Sequence, residues 1–197
     1  IDLKDKFLRM PWAEAMERFG SDKPDLRFGY ELVNLSDLLA NSEFKVFSGA
    51  IAQGGSVRAI NVKGGAKFSR KEIDALVEYV KTYRAKGLAW LKQSSDTEFS
   101  SSYAKFLSDE ENAAIRERMK VEAGDLVLIV ADKNKVVFDA LGALRCECAR
   151  RMGILRSDDY KFLWVTEFPL LEYDEEEGRF YAMHHPFTSP MDEDLQY

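Results

Sequence analysis

Histidine and cysteine are nearly absent, with two of each in 197 residues. With no cysteine or third histidine near His184 and His185, the usual Cys/His zinc ligand sets are not expected. Cys146 and Cys148 sit two apart in a helix-like stretch, where side chains point away from each other. They neither bridge nor share a metal and are expected as reduced thiols of a cytoplasmic protein. His184 and His185 are adjacent in a strand-like stretch and face opposite sides, so no metal site is expected there either. No apolar run approaches the roughly 20 residues that cross a bilayer. The opening, IDLKDKFLRM, has no apolar signal core and no initiator methionine, which predicts a start inside a longer protein. Also missing are the GxxxxGK[ST] and G-x-G-x-x-G phosphate cradles and the G-x-S-x-G elbow. A net charge of −6 leaves the chain as a whole without attraction for RNA or an anionic membrane, so any RNA contact needs a local basic patch.

What is present is enough for a core: 46% hydrophobic and 12% aromatic residues. PWAEAMERFG (11–20) predicts a helix with Pro11 in its first turn and Gly20 as its stop. A polar turn, SDKPDLRF, follows, with Asp22 expected to form an Asx-turn and Pro24 to fix the next bend. Ser36 is expected to cap a short helix. EFKVFSGAI (43–51) alternates and predicts a strand, paired through the Gln53–Ser56 turn with a second strand, SVRAINVKG. Ser69 and Glu72 form a capping box for a helix running to Gly87, with Ile73, Leu76, Val77 and Val80 on its buried stripe. GLAWLKQ (87–93) reads as a strand and the serine-rich 94–102 as a mobile loop. Ser108 opens the next helix. DLVLIVA (125–131) is the most apolar strand and is expected at the centre of its sheet. A helix through Val137, Ala140, Leu141 and Leu144 follows, closed by Gly153. Residues 161–174 and 178–187 predict an antiparallel hairpin around the acidic turn Asp174–Gly178.

Taken alone, the charges of SDKPDLR read as a solvated turn, although Lys23 and Arg27 suit a phosphate or carboxylate. The histidines read either as a structural pair or as one imidazole lining a pocket for a small anion.

The strings taken together resemble one family. PWAEAMERFGSDKPDLRFGYELVNLSDL is similar to the stretch after the second class II signature of bacterial-type aspartyl-tRNA synthetases. FPLLEYDEEEGRFYAMHHPFTSP resembles their catalytic-domain hairpin before the third signature. VKGGAKFSRKEID and GALR (142–145) fit the GAD domain inserted between them. The resemblance covers nearly the whole chain. It implies an α+β fold: a compact insert with a mainly antiparallel sheet packed by helices (40–150), flanked by catalytic-domain pieces at 1–39 and 151–197. It implies a cytoplasmic, homodimeric parent that uses ATP and Mg2+ to load L-aspartate onto tRNA(Asp). The ATP-binding arginines and the anticodon domain have no counterpart here, so the resemblance implies no catalytic residue, no bound cofactor and no activity for this segment alone. By resemblance, His184 contacts the substrate aspartate with His185 beside it. The alternative is an independently folding structural or tRNA-contacting module, suggested by Arg58, Lys63, Lys67, Arg70 and Lys71.

Overall fold

A computed structural model of the chain describes residues 6–174, 177–183 and 191–196. In chain order the elements begin with β1 (Leu8–Pro11), α1 (Trp12–Phe19), β2 (Val33–Asn34), α2 (Ser36–Leu39), α3 (Lys45–Ala52) and β3 (Ser56–Val62). Then come α4 (Arg70–Lys81), β4 (Ala89–Gln93), β5 (Phe99–Ser101), α5 (Asp109–Arg118), β6 (Leu126–Asp132) and α6 (Asn134–Met152). The chain closes with β7 (Leu163–Thr166), β8 (Leu171–Asp174) and β9 (Arg179–Ala182).

The principal sheet has the order β2-β3-β6-β4-β5, and every pairing in it is antiparallel. The α+β expectation therefore holds, and DLVLIVA does supply the middle strand. Its continuous apolar run is needed because both sheet faces are covered. Leu126, Leu128 and Val130 pack with Ile73, Leu76 and Val80 of α4 and with Val137, Leu141 and Leu144 of α6. Val127 and Ile129 point the other way, onto Leu39, Phe47 and Ile115. Side chains alternate across a strand, so a strand covered on both faces has to be apolar at every position.

The local signals performed unevenly. The expected Ser69–Glu72 capping box forms, and Ser108, expected only to open its helix, makes a second one with Glu111. Gly20 ends α1 in the left-handed conformation. α4 stops at Lys81 rather than near Gly87, and Arg84 takes a left-handed φ of 67° just beyond its end. Residues 43–51 are not a strand. Phe44, at the cap of α3, and Phe47 and Ile51 within it recur at helical spacing and pack on the second core, while Val46 is exposed. A short apolar run fits both periods, and here burial selects the helical one. The 53–55 turn consequently joins a helix to β3, whose partners are β2 and β6. Ser36 does not cap α2: its Oγ accepts from the Val57 N–H at 3.0 Å, and its own N–H is taken by the Asn34 side chain at 2.9 Å. The serine-rich 94–102 segment contains β5. Its serines satisfy backbone groups, with Ser102 Oγ accepting from the Trp90 N–H at 2.9 Å and Ser95 Oγ from the Glu98 N–H at 3.1 Å.

The two flanks meet. β1 pairs in parallel with β7, Leu8 opposite Leu163 through Pro11 opposite Thr166. Met10, Ala15 and Phe19 pack with Leu26, Leu163 and Val165 into a small core of their own. Of the hairpin expected over 161–174 and 178–187, only β8 and β9 pair as antiparallel strands, because 163–166 are taken by β1 as β7; residues 184–187 lie outside the described residues. Phe162 and Trp164 lie exposed on the outer side.

Candidate functional site

The segment from Gly20 to Glu31, singled out in the sequence by its charge cluster, is held in place from within and from behind. Within it, Asp25 rather than Asp22 makes the Asx-turn: its Oδ1 accepts from the Arg27 N–H at 3.0 Å. The Arg27 guanidinium then grips the same carboxylate, Nη2 to Oδ2 at 2.7 Å, and these bonds hold the Asp25 carboxyl below its ordinary range. Asp22 pairs instead with Lys23 at 2.8 Å. Lys23 and Arg27 are thus occupied by carboxylates of their own turn.

Behind the loop stands Arg145, the last residue of the GALR string, 1% exposed. Its Nη2 donates to the carbonyls of Asp25 and Gly29, both at 2.9 Å, and its Nε to that of Tyr30 at 3.2 Å. The guanidinium lies over the rings of Phe28 at 4.4 Å and Phe19 at 4.9 Å. Tyr30 adopts a left-handed φ of 60°, a conformation disfavoured for an aromatic residue. Burial draws the arginine's pKa down, but the group stays charged, so its donors have to be met by oxygens. They are met here by the backbone carbonyls of the 25–30 loop. The sequence carried a signal for this. Arg145 follows Leu141 by four and precedes Cys148 by three, placing a cation on the buried stripe of α6.

Two further ties join the first flank to the sheet. A Cβ on Gly142 would stand 2.4 Å from the Gly20 carbonyl oxygen, and one on Gly20 would stand 2.4 Å from that of Phe138, so the end of α1 crosses α6 backbone to backbone. Arg58, buried in β3, bonds Glu17 of α1 and lies over the Phe138 ring at 4.7 Å. The second flank is tied less tightly, by Lys135 of α6 to Glu172 at 2.7 Å.

The candidate basic patch is largely spent. Arg58 serves α1, Lys63 bonds Asp125 at 2.8 Å and Glu122 at 2.9 Å, and Arg70 pairs with Asp74 at 2.8 Å. Lys67 and Lys71 are exposed and have no salt bridge among the described residues. His184 and His185 lie outside the described residues, just beyond the end of β9. Among the described residues no three His, Cys, Asp or Glu side chains gather as metal ligands. No helix among them is long and apolar enough to cross a membrane.

Residues 47–141 match the GAD domain family. Over all 197 residues the chain is 68% identical to the protein named aspartate–tRNA ligase in Ruminiclostridium cellulolyticum strain H10, covering 33% of that relative. Over 196 residues it is 57% identical to the proteins of the same name in Clostridium botulinum strains Hall and Langeland, again covering 33% of each. The chain thus spans about a third of the length of the curated relatives it matches.

Proposed function

We propose that the chain, whose residues 47–141 match the GAD domain family and whose whole length matches aspartate–tRNA ligases, is the insert-bearing part of such a ligase, inactive alone. In the whole enzyme the carboxylate of L-aspartate attacks the α-phosphorus of ATP, forming aspartyl-adenylate as pyrophosphate leaves. The aspartyl group then passes to a hydroxyl of the terminal adenosine of tRNA(Asp), releasing AMP. ATP and Mg2+ serve the whole enzyme, a cytoplasmic homodimer, and are bound by residues outside this chain. Residues 1–39 and 151–197 are catalytic-domain flanks around an insert at 40–150.

The observation that carries this reading is the parallel pairing of β1 with β7. More than 150 residues separate Leu8 from Leu163, yet the chain leaves a sheet and returns to its neighbouring strand. An α+β body placed within another domain's sheet produces that geometry. His184 is proposed to contact the aspartate carboxylate, with His185 beside it, at the end of the β8–β9 hairpin. Rejecting asparagine takes groups that favour a carboxylate over an amide, which an imidazole N–H does. In the whole ligase, His184→Ala should raise the KM for aspartate by roughly 10–100-fold, the value of one hydrogen bond to a charged group. The KM for ATP should not change. An unchanged aspartate KM in pyrophosphate exchange removes His184 from the site.

The insert's own role is proposed to be bracing. Arg145, Arg58 and the Gly20–Gly142 contact all spend insert residues on holding the first flank. A tRNA-contacting role keeps only Lys67 and Lys71 from the candidate patch, so its salt dependence should be shallow, with a log–log slope of about −2 or less. A much steeper slope argues for a patch elsewhere.

A further inference from the structure

β8 and β9 form a two-stranded sheet of their own, and every residue in them is exposed or half-buried. Burial under the principal sheet therefore does not orient this hairpin. A polar contact to α6 ties it to the body of the chain, through one carboxylate. Glu172 of β8 stands directly opposite Tyr181 of β9. Its Oε2 accepts from the Tyr181 hydroxyl at 2.7 Å, across the ladder. Its Oε1 accepts from Lys135 Nζ, also at 2.7 Å. Lys135 is the second residue of α6 and lies within 47–141, the stretch that matches the GAD family. The first turn of α6 holds no acidic residue of its own, and Glu172 brings it one. Bonds from Lys135 and Tyr181 hold the Glu172 carboxyl below its ordinary range, and the bond to Glu172 holds the Lys135 ammonium above its own. The hairpin's hydrogen bonding runs on past Ala182, where the Met183 N–H donates to the Leu170 carbonyl at 3.0 Å. Met183 is the residue before His184.

We propose that Lys135 is a positioning residue for L-aspartate binding: from the insert it holds Glu172, and with it the strand that leads in sequence to His184. The inference rests on the reading that His184 meets the aspartate carboxylate. The path is short. Lys135 bonds Glu172, Glu172 bonds its cross-strand partner Tyr181, and Tyr181 stands three residues before His184. Cross-strand pairs are what fix one hairpin strand against the other, and this pair is in turn fixed to a helix. A small displacement at the end of such a strand matters, because a hydrogen bond to a substrate works over only about 2.7–3.2 Å. The ion pair adds little to stability, since the Lys135 side chain is 71% exposed, so its effect belongs in the affinity for one substrate. α6 thus holds both flanks, the first through Arg145 and the second through Lys135.

The test is pyrophosphate exchange by the whole ligase, with KM measured for aspartate and for ATP and Tm read alongside. Lys135→Met keeps the aliphatic stem and removes the ammonium. It should raise the aspartate KM by roughly two- to fivefold, the worth of one partly exposed ion pair, and leave the ATP KM, kcat and Tm unchanged. Glu172→Gln should do the same, and Lys135→Arg, which keeps the charge, should retain the parent value. The double variant Lys135→Met/Glu172→Gln should be no worse than either single one, since both break the same contact. Amide exchange at Met183 should quicken in Lys135→Met while that of β6 does not. If His184→Ala raises the aspartate KM and Lys135→Met does not, this inference falls and the aspartate reading stands. If His184→Ala changes nothing, the aspartate reading falls and takes this inference with it. Additive single effects, a rise in both KM values or a lowered Tm also overturns it, because the lysine is then only structural.

Discussion

Arg145→Met removes every donor of the buried guanidinium while keeping much of its volume, and it should destabilise the chain by about 3–5 kcal/mol. The magnitude follows from what the group holds. Two bonds at 2.9 Å and one at 3.2 Å run from a cation to backbone carbonyls, with two aromatic rings alongside. A bond to a charged group contributes about 1.5–3 kcal/mol net, so three would total about 4.5–9 kcal/mol, mostly above the figure given. The sum is reduced because desolvating a guanidinium is itself costly, and a thioether escapes that cost. Arg145→Lys keeps the charge but not the planar fork and should lose about 2–3 kcal/mol, less than the methionine variant. Against a typical stability of about 5–15 kcal/mol, these are large fractions. Urea unfolding gives the totals. Hydrogen exchange locates them: amides at 25–31 should lose protection in both variants before those of β6 do. If Arg145→Met is as stable as the parent chain, the guanidinium is replaceable by any side chain of its size and the brace is not one. A loss spread evenly over β6 and the loop would likewise refute a local clasp.

Gly142→Ala forces a Cβ to within 2.4 Å of the Gly20 carbonyl oxygen, a backbone atom with nowhere to yield. It should cost about 2–3 kcal/mol, although alanine is the better helix former by about 1 kcal/mol, and a stabilised variant in thermal melts would contradict the crossing. Burial raises the Cys148 thiol to about 12 and pushes Cys146 up as well, so neither should be thiolate at pH 8. A disulfide reagent should label them slowly in the native chain and fully in denaturant; rapid native labelling of both would show α6 open. Hydrogen bonds from Arg150 and Arg151 hold Glu147 down to about 2 from an ordinary 4.5. A depressed carboxyl stabilises the fold above its unfolded value, and that contribution is lost as pH falls from about 4.5 toward 2. Glu147→Gln should flatten the stability-versus-pH slope in that window, and an unchanged slope would dismiss the pairing.

Much of the fold was legible because its signals are local. A serine three residues before a glutamate, a glycine after an apolar stripe and an apolar run of strand length each encode an element within a few residues, and α1, α4, α5, β6 and α6 were recovered that way. α3 was not, since eight residues from Lys45 to Ala52 satisfy a helical and a strand period equally. What decides is which partner claims β3, and its neighbours β2 and β6 lie on either side of it in sequence. Ser36 failed for a related reason: its hydroxyl was claimed by the Val57 N–H across the sheet instead of by its own helix.

The site divides along the same line. DLRF and GALR were both conspicuous as strings, but their meaning lies in a contact across 115 to 120 positions, which no window along the chain contains. Taken separately, a charged turn is a solvated turn and an arginine in a helix is a surface arginine. The one local clue was that Arg145 shares the stripe of Leu141 and Cys148, a position a cation occupies only if backbone or acidic oxygens await it. The loop 25–30 can supply those oxygens because its own side chains, Asp25 and Arg27, are already paired with each other. The charge cluster that suggested a ligand site is what frees the carbonyls for the brace. A loop so held from behind presents a fixed surface on its other side.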